Sequence, residues 1–138
     1  APDEAREVAL HDLRTRFRNK LQDRVSEVRI SSRLVDSPIC LVVPPGGLQP
    51  HMERILRTAQ KEFPTQKRIL EINPGHPVIE NLRVLLEAAT AIERVDEWIA
   101  LLYDQAKIAE GSPLDDPGAF NERVTALLKD ASERLRPS

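Results

Sequence analysis

The stretch ERVDEWIALLYDQAKIAE at residues 93–110, followed after the connector GSPLD at 111–115 by DPGAFNERVTALLKDASERL at 116–135, decides how this chain is organised. Both stretches repeat apolar residues at spacings of three and four, which predicts two helices. Together they carry more apolar surface than a two-helix hairpin can hide. A chain with this surplus is expected to cover it with a partner, most simply a second copy of itself.

The two predicted helices differ in how their apolar residues are arranged. The penultimate helix is apolar on more than one face, because Leu101 and Ile108 point away from the side lined by Val95, Trp98, Ile99, Leu102, Ala106 and Ala109. We expect one face to meet the rest of the domain and another to meet the partner. The final helix has the stripe that a bundle core requires, formed by Phe120, Val124, Leu127, Leu128, Ala131 and Leu135. The alternative interpretation is an intramolecular core.

The residues before these helices predict a small sheet with helices packed on it. Three short apolar runs at 28–30, 39–43 and 69–72 are typical of strands, and the first two are expected to be adjacent. Helices are predicted with Leu10, Leu13, Phe17 and Leu21 behind a cap at Asp3, at 49–62 with Pro50 in the first turn, and from Pro77 to Ala89. The order of elements predicts an α+β fold with a small mixed three-stranded sheet.

Length and composition exclude several classes of protein. The 138 residues make one domain, and a net charge of −2 with both signs interspersed leaves no basic stripe for nucleic acid. The sequence has neither an apolar signal segment nor an uncharged stretch long enough to span a membrane. The single Cys40 cannot form an internal disulfide, which favours a reducing compartment and a cytoplasmic location. A start at Ala1 rather than methionine suggests a piece of a longer protein.

Residues that could carry chemistry are scattered along the chain. The histidines fall in separate elements without ligands at metal-binding spacing: His11, His51 and His76. The pair Gly46 and Gly47 lacks the further glycines and the lysine of a phosphate-binding loop. Asp116 is explained as the cap of a helix that Pro117 begins. We therefore expect no catalytic residue, metal site or cofactor site, and no enzyme activity, in this chain.

Five ordered segments carry a more specific signal: SRLVDSP at 32–38, HMERI at 51–55, LEINPGHP at 70–77, LYDQA at 102–106 and LDDP at 114–117. They resemble the C-terminal domain of the heat-shock protein 90 chaperone family, including its bacterial form, high-temperature protein G. The resemblance covers residues 32–128. It implies one C-terminal dimerisation domain at 1–138, with an α/β part at 1–92 and dimerisation helices at 93–138. ATP binds to an N-terminal domain of the family that this chain does not resemble.

The resemblance implies that the last two helices pair with those of a second copy in an intermolecular four-helix bundle. The residues expected at this interface are Trp98, Ile99, Leu102, Tyr103, Ala106, Phe120, Val124, Leu127 and Leu128. The implied function is homodimerisation of an ATP-dependent chaperone that assists protein folding. The competing hypotheses are a monomeric adaptor or substrate-binding module and a small enzyme.

The helix at 49–62 has a second implied role, because the matching helix of the family is amphipathic, exposed and contributes to binding of client proteins. Its apolar face here is formed by Leu48, Met52, Ile55 and Leu56. Methionine and leucine adapt to partners of many shapes. The other face carries Glu53, Arg54, Arg57 and Lys61. The alternative is that the apolar face packs on the sheet, and the proline-rich approach at 44–47 departs from the family.

The end of the chain bears on the expected partners. Cytosolic eukaryotic members of the family finish in an acidic pentapeptide that docks helical-repeat co-chaperones, whereas this chain finishes in Arg136, Pro137 and Ser138. The resemblance therefore points to the bacterial or organellar type, and we expect no co-chaperone docking of that class.

Overall fold

A computed structural model describes residues 2–33, 36–60 and 66–137 of the chain. These residues form five helices and three strands. The elements are α1 (Pro2–Leu21), β1 (Val25–Ile30), β2 (Ile39–Val42), α2 (Pro50–Ala59), β3 (Arg68–Ile72), α3 (Pro77–Glu87), α4 (Ile92–Glu110) and α5 (Pro117–Arg134). The predicted α+β class and the predicted order of elements are confirmed.

Strand β3 lies at the centre of a mixed sheet with the order β1-β3-β2. It runs parallel to β1, with Leu70 opposite Val28, and antiparallel to β2, with the same leucine opposite Leu41. The predicted mixed three-stranded sheet is confirmed, whereas the predicted adjacency of the first two strands is wrong. β3 separates them because all five of its residues are buried, and a strand buried along its whole length needs a partner on each edge.

A hydrophobic core lies between the sheet and helices α1, α3 and α4. Phe17, Leu70 and Ile99 are completely buried in it, and burying a side chain of this size contributes about 1.5 to 3 kcal/mol. The other members of the core are Leu13, Leu21, Val25, Val28, Ile39, Ile72, Ile79, Leu82, Val95, Leu102, Tyr103 and Ala106. Helix α4 shares this core with the sheet. The predicted α/β part at 1–92 and the predicted dimerisation helices at 93–138 are therefore not packed as separate units.

Proline and aspartate set the starts of several helices. Pro77 begins α3 and Pro117 begins α5, as predicted. The predicted cap at Asp116 is confirmed, since its Oδ1 accepts a hydrogen bond of 3.0 Å from a backbone N–H in the first turn of α5. The predicted cap at Asp3 is wrong, because α1 already includes Pro2. A proline has the φ angle that the first helical position requires.

Two helices end earlier than their apolar patterns predict. Helix α2 ends at Ala59, because the backbone of Gln60 is extended, and residues 61–65 lie outside the described part of the chain. Helix α3 ends at Glu87, so Ala89 is not helical and has a φ of 52°. A positive φ is unfavourable for alanine, and it is accepted here where the chain must turn from α3 into α4 within a few residues.

A bidentate ion pair joins α1 to α4 at the edge of the core. Arg16 Nε donates to Asp96 Oδ1 at 2.7 Å, and Arg16 Nη2 donates to Oδ2 at 2.8 Å. The hydrogen bonds from Arg16 hold the pKa of Asp96 below its ordinary value, against the opposing effect of partial burial. Because both side chains remain partly exposed, the pair stabilises the fold by at most about 1 kcal/mol.

Replacing this carboxylate, in the variant Asp96→Asn, should lower the free energy of unfolding by up to about 1 kcal/mol at neutral pH. The folded-state pKa of Asp96 is lowered, so its contribution is present above the ordinary carboxyl pKa and is lost as the pH falls through the folded value. Urea unfolding curves should therefore show the wild type and the variant converging in acid. Asp12→Asn, which removes an exposed carboxylate of α1, is the control. A difference that persisted at low pH would contradict this assignment.

Candidate functional site

Helix α5 packs against α4 and has no buried residue. Leu128 is 65% exposed and Leu135 is 85% exposed, while Phe120, Val124 and Leu127 are partly buried. The apolar stripe of a surface helix ordinarily faces the core. The stripe of α5 is instead left largely in contact with solvent, so the protomer does not cover the apolar surplus of its last two helices.

An apolar groove lies beside this stripe, between α3, α4 and α5. Its volume is about 310 Å³, and its lining is formed by Val78, Asn81, Leu82, Trp98, Leu101, Leu102, Gln105 and Leu127. Trp98 and Leu127 also border a second cavity of about 550 Å³ between α4 and α5. These two large side chains are therefore flanked by open space, although each belongs to a helix that is packed on another.

Ion pairs help to attach α5 to α4. Arg123 lies between two carboxylates, with its Nε 2.8 Å from Glu97 Oε2 and its Nη1 3.7 Å from Asp104 Oδ2. A further pair joins Arg94 to Asp130. Burial raises the pKa of Asp104, and the charge of Arg123 acts in the opposite direction. Charged side chains therefore supply part of the contact between the two helices. The apolar stripe of α5 keeps accessible surface in the protomer.

The residues predicted for a dimer interface fall into two groups. The first group is buried in the core of the protomer itself: Ile99, Leu102, Tyr103 and Ala106. These four have almost no accessible surface left for another chain, which is the arrangement that the intramolecular alternative expects. The second group keeps exposed area beside the groove or on the α5 stripe: Trp98, Phe120, Val124, Leu127 and Leu128.

Helix α2 presents much of its apolar face to solvent. Met52 is 46% exposed and Ile55 is 48% exposed, whereas Leu48 and Leu56 are partly buried. The alternative prediction, that this face packs on the sheet, is therefore wrong for Met52 and Ile55. The buried residue of α2 is Glu53, which belongs to the charged side of the helix.

The carboxylate of Glu53 is held by Arg68 at the start of β3. Arg68 Nη2 donates to Glu53 Oε2 at 2.8 Å, and Arg68 Nε donates to Glu110 Oε1 at 3.2 Å. The side chains of Arg68 and Glu53 are only 3% and 5% exposed. Burial disfavours the charge on Arg68, but the two carboxylates outweigh this effect and keep the pKa of Arg68 above its ordinary value. One cation thus joins α2, β3 and the last turn of α4.

Gln66 extends this network to the residue that leads into α2. Its Oε1 accepts a hydrogen bond from the backbone N–H of Leu48 at 2.9 Å, and its Nε2 donates to Glu53 Oε2 at 3.0 Å. Further back, Gly47 N donates to Pro44 O at 2.9 Å and closes a turn. The proline-rich approach to α2 is therefore held at the turn and again at Leu48, which orients the helix.

Two of the three histidines take local structural roles. His76 Nδ1 accepts a hydrogen bond from Val78 N at 3.1 Å and so caps α3, while the ring of His11 contacts Arg14. Among residues 2–33, 36–60 and 66–137, no group of three or more His, Cys, Asp or Glu side chains could hold a metal ion. None of the helices in these ranges is long and apolar enough to cross a membrane.

Sequence reasoning missed the network around Arg68. The residue directly precedes the apolar run at 69–72, a position where a charged side chain is ordinarily expected to face water. Its partners Glu53 and Glu110 lie 15 and 42 residues away along the chain. Nothing in the local pattern pairs these residues, because the contact exists only once α2 and α4 meet over the start of β3.

This chain matches a known protein family over almost its whole length. Residues 1–136 match the family described as Hsp90 protein. The chain belongs to the Hsp90 family. The resemblance found in the five sequence segments is thereby confirmed.

Curated relatives of this chain include bacterial proteins named Chaperone protein HtpG. That of Myxococcus xanthus is 48% identical over 121 residues, and that of Geobacter metallireducens is 46% identical over 117 residues. The protein of Halorhodospira halophila is 43% identical over 123 residues. The three alignments cover 86%, 85% and 89% of this chain. The chain spans about 18% of the length of these Hsp90-family relatives.

Arg68→Met, which removes the charge and keeps an apolar chain, should lower the free energy of unfolding by about 3 to 5 kcal/mol, because Glu53 would stay buried without its cation. Adding Glu53→Gln should restore part of this loss, since a neutral amide costs less to bury than a carboxylate. Urea unfolding at one fixed protein concentration measures both effects.

The matched control for Arg68→Met is Arg29→Met, which removes a half-exposed arginine 3.4 Å from the Glu71 carboxylate. Its expected cost is below about 1 kcal/mol, because Arg33 still pairs with Glu71. An Arg68→Met variant no less stable than this control would contradict a structural role for the buried network.

Proposed function

We propose that this chain is the C-terminal homodimerisation domain of an ATP-dependent molecular chaperone of the HtpG type, which assists protein folding. Helices α4 and α5 of two copies pack together as an intermolecular four-helix bundle. The observation that carries the proposal is the exposed stripe of α5, an 18-residue helix without a buried residue in the protomer. A second copy that covers this stripe removes apolar surface from water.

The surface offered for dimerisation is centred on Trp98, Leu127 and Leu128. The groove beside Leu127 receives side chains of the partner's α5, and a two-fold symmetric contact uses the same surface of each copy. A standard interface buries about 1,600 Å² in total. With a gain of about 25 cal/mol per Å² of apolar area, this exceeds the cost of association. The buried interface candidates, such as Ile99, contribute by holding α4 in place.

The proposed role is mechanical rather than chemical. Binding and hydrolysis of ATP belong to other parts of such a chaperone, so this segment needs no cofactor and no catalytic residue. Two protomers fixed at one end raise the effective concentration of their remaining domains for each other. The bundle is then the base of a molecular clamp that works in the cytoplasm.

Helix α2 is assigned the binding of unfolded or partly folded client proteins. Support comes from the exposure of Met52 and Ile55 on a helix whose buried residue is a glutamate. The Glu53 ion pair attaches α2 by its charged side, and Met52 and Ile55 are directed outward. A flexible thioether and branched aliphatic groups can adapt to many partner shapes.

Leu128→Glu should weaken the dimer at least about tenfold, because burying an unpaired carboxylate in the bundle costs well over 1.4 kcal/mol. The protomer should stay folded, since Leu128 makes few contacts within it. Thr125→Glu places the same charge at an exposed position outside the stripe and should leave the dimer intact. Sedimentation across a wide concentration range measures both. A wild-type chain that remained a folded monomer would remove the dimerisation proposal and favour a monomeric adaptor.

Met52→Ser combined with Ile55→Ser should weaken capture of an unfolded model protein by about fivefold or more, because two adaptable apolar contacts are lost. Fluorescence anisotropy of the labelled client measures the affinity. Val8→Ser with Val84→Ser is the matched control, since these valines are at least as exposed but lie on α1 and α3. The dimer mass should be unchanged in both variants. Equal client affinity in wild type and the α2 variant would exclude α2 from the proposed function.

A further inference from the structure

The exposed surface of α2 combines apolar and cationic side chains. Its only carboxylate, Glu53, is held in the interior by an ion pair. Arg54 and Arg57 remain at or near the surface, together with Met52 and Ile55. Neither arginine has an ion-pair partner among the residues that the structure describes. The helix is therefore locally cationic, although the net charge of the whole chain is −2.

The two arginines border a groove of about 600 Å³ between α2 and the connector that follows α4. The opposite wall is formed by Gly111, Ser112 and Pro113. The guanidinium carbon of Arg54 lies 3.8 Å from the position that a Cβ atom on Gly111 would occupy, so this side chain rests against bare backbone. A guanidinium offers planar donors that suit the two oxygens of a carboxylate.

We propose that α2 selects client segments in which a carboxylate lies a few residues from an apolar side chain. This deepens the client role of α2 and rests on it. The carboxylate pairs with Arg54 and Arg57 in the groove, while the apolar side chain packs on Met52 and Ile55. A helix with its side chains is about 10 Å across, and an extended chain advances about 3.3 Å per residue, so the two client groups are about three residues apart.

The positive charge on α2 also lowers the affinity for basic client segments. A client segment with lysine at the position of the carboxylate brings like charges together near Arg54 and Arg57, which lowers its affinity. A segment with a neutral amide keeps the apolar contact and loses the charge pairing alone. The expected affinity of α2 is therefore highest for acidic segments, lower for neutral segments and lowest for basic segments. Comparing the three separates the contribution of charge from that of the apolar face.

The test uses three fluorescein-labelled peptides with the same apolar residues and with aspartate, asparagine or lysine at the polar positions. Anisotropy titrations with the wild-type chain at low salt should show the aspartate peptide binding about fivefold more tightly than the asparagine peptide. In about 1 M salt this advantage should disappear, because exposed charge pairs are screened. Arg54→Gln with Arg57→Gln should abolish the advantage, so that the aspartate peptide binds no more tightly than the asparagine peptide.

The charge-matched control is Arg18→Gln with Arg136→Gln, which removes two exposed arginines outside α2 and should preserve the preference for aspartate. Equal affinity for all three peptides would overturn this inference and leave the client role of α2 standing. Binding of none of them would overturn the client role and the inference together, with the dimer mass unaffected. A preference for aspartate that survived Arg54→Gln with Arg57→Gln would overturn the inference by showing that the carboxylate binds elsewhere.

Discussion

Helix α4 is buried on more than one side, and the other elements are arranged around that constraint. Val95 and Ile99 complete the core above the sheet, while Leu101 and Asp104 are buried on other parts of its surface. Arg123 of α5 then pairs with Asp104, which sets α5 on the outside of α4. Nothing in the described protomer lies beyond α5 to cover its apolar stripe. The exposed surface that supports dimerisation is therefore a consequence of how α4 is packed.

A buried charge helps to attach α2 to the domain. A surface helix ordinarily turns its apolar stripe inward, but Glu53 pairs with Arg68 in the interior, and Met52 and Ile55 remain exposed. Desolvation makes a buried ion pair a weak source of stability. The pair nevertheless restricts how α2 can be placed, because moving either charge away would leave the other buried without a partner. Since Arg68 also binds Glu110, the proposed client helix and the proposed dimerisation helix share one cation.

The features that were predictable depend on local patterns. The start of α3 at Pro77 and the cap at Asp116 follow from the chemistry of helix ends, which involves neighbours in sequence. The family resemblance follows from five short segments, LEINPGHP at 70–77 among them. One error concerns a longer distance, because β3 lies between β1 and β2. Other errors concern helix ends: Asp3 lies inside α1, α2 ends at Ala59, and Ala89 lies outside α3.

By itself, the sequence determined the elements, the family and the side of each helix that is apolar, because periodicity records the direction of side chains around a helix axis. Only the tertiary structure decided what covers each side. It buried Ile99 within the protomer, left Leu128 exposed and placed Glu53 inside while Met52 stayed outside. The physical reason is that burial depends on neighbours far away in the chain. Arg68, β3 and α4 come together only in the folded domain.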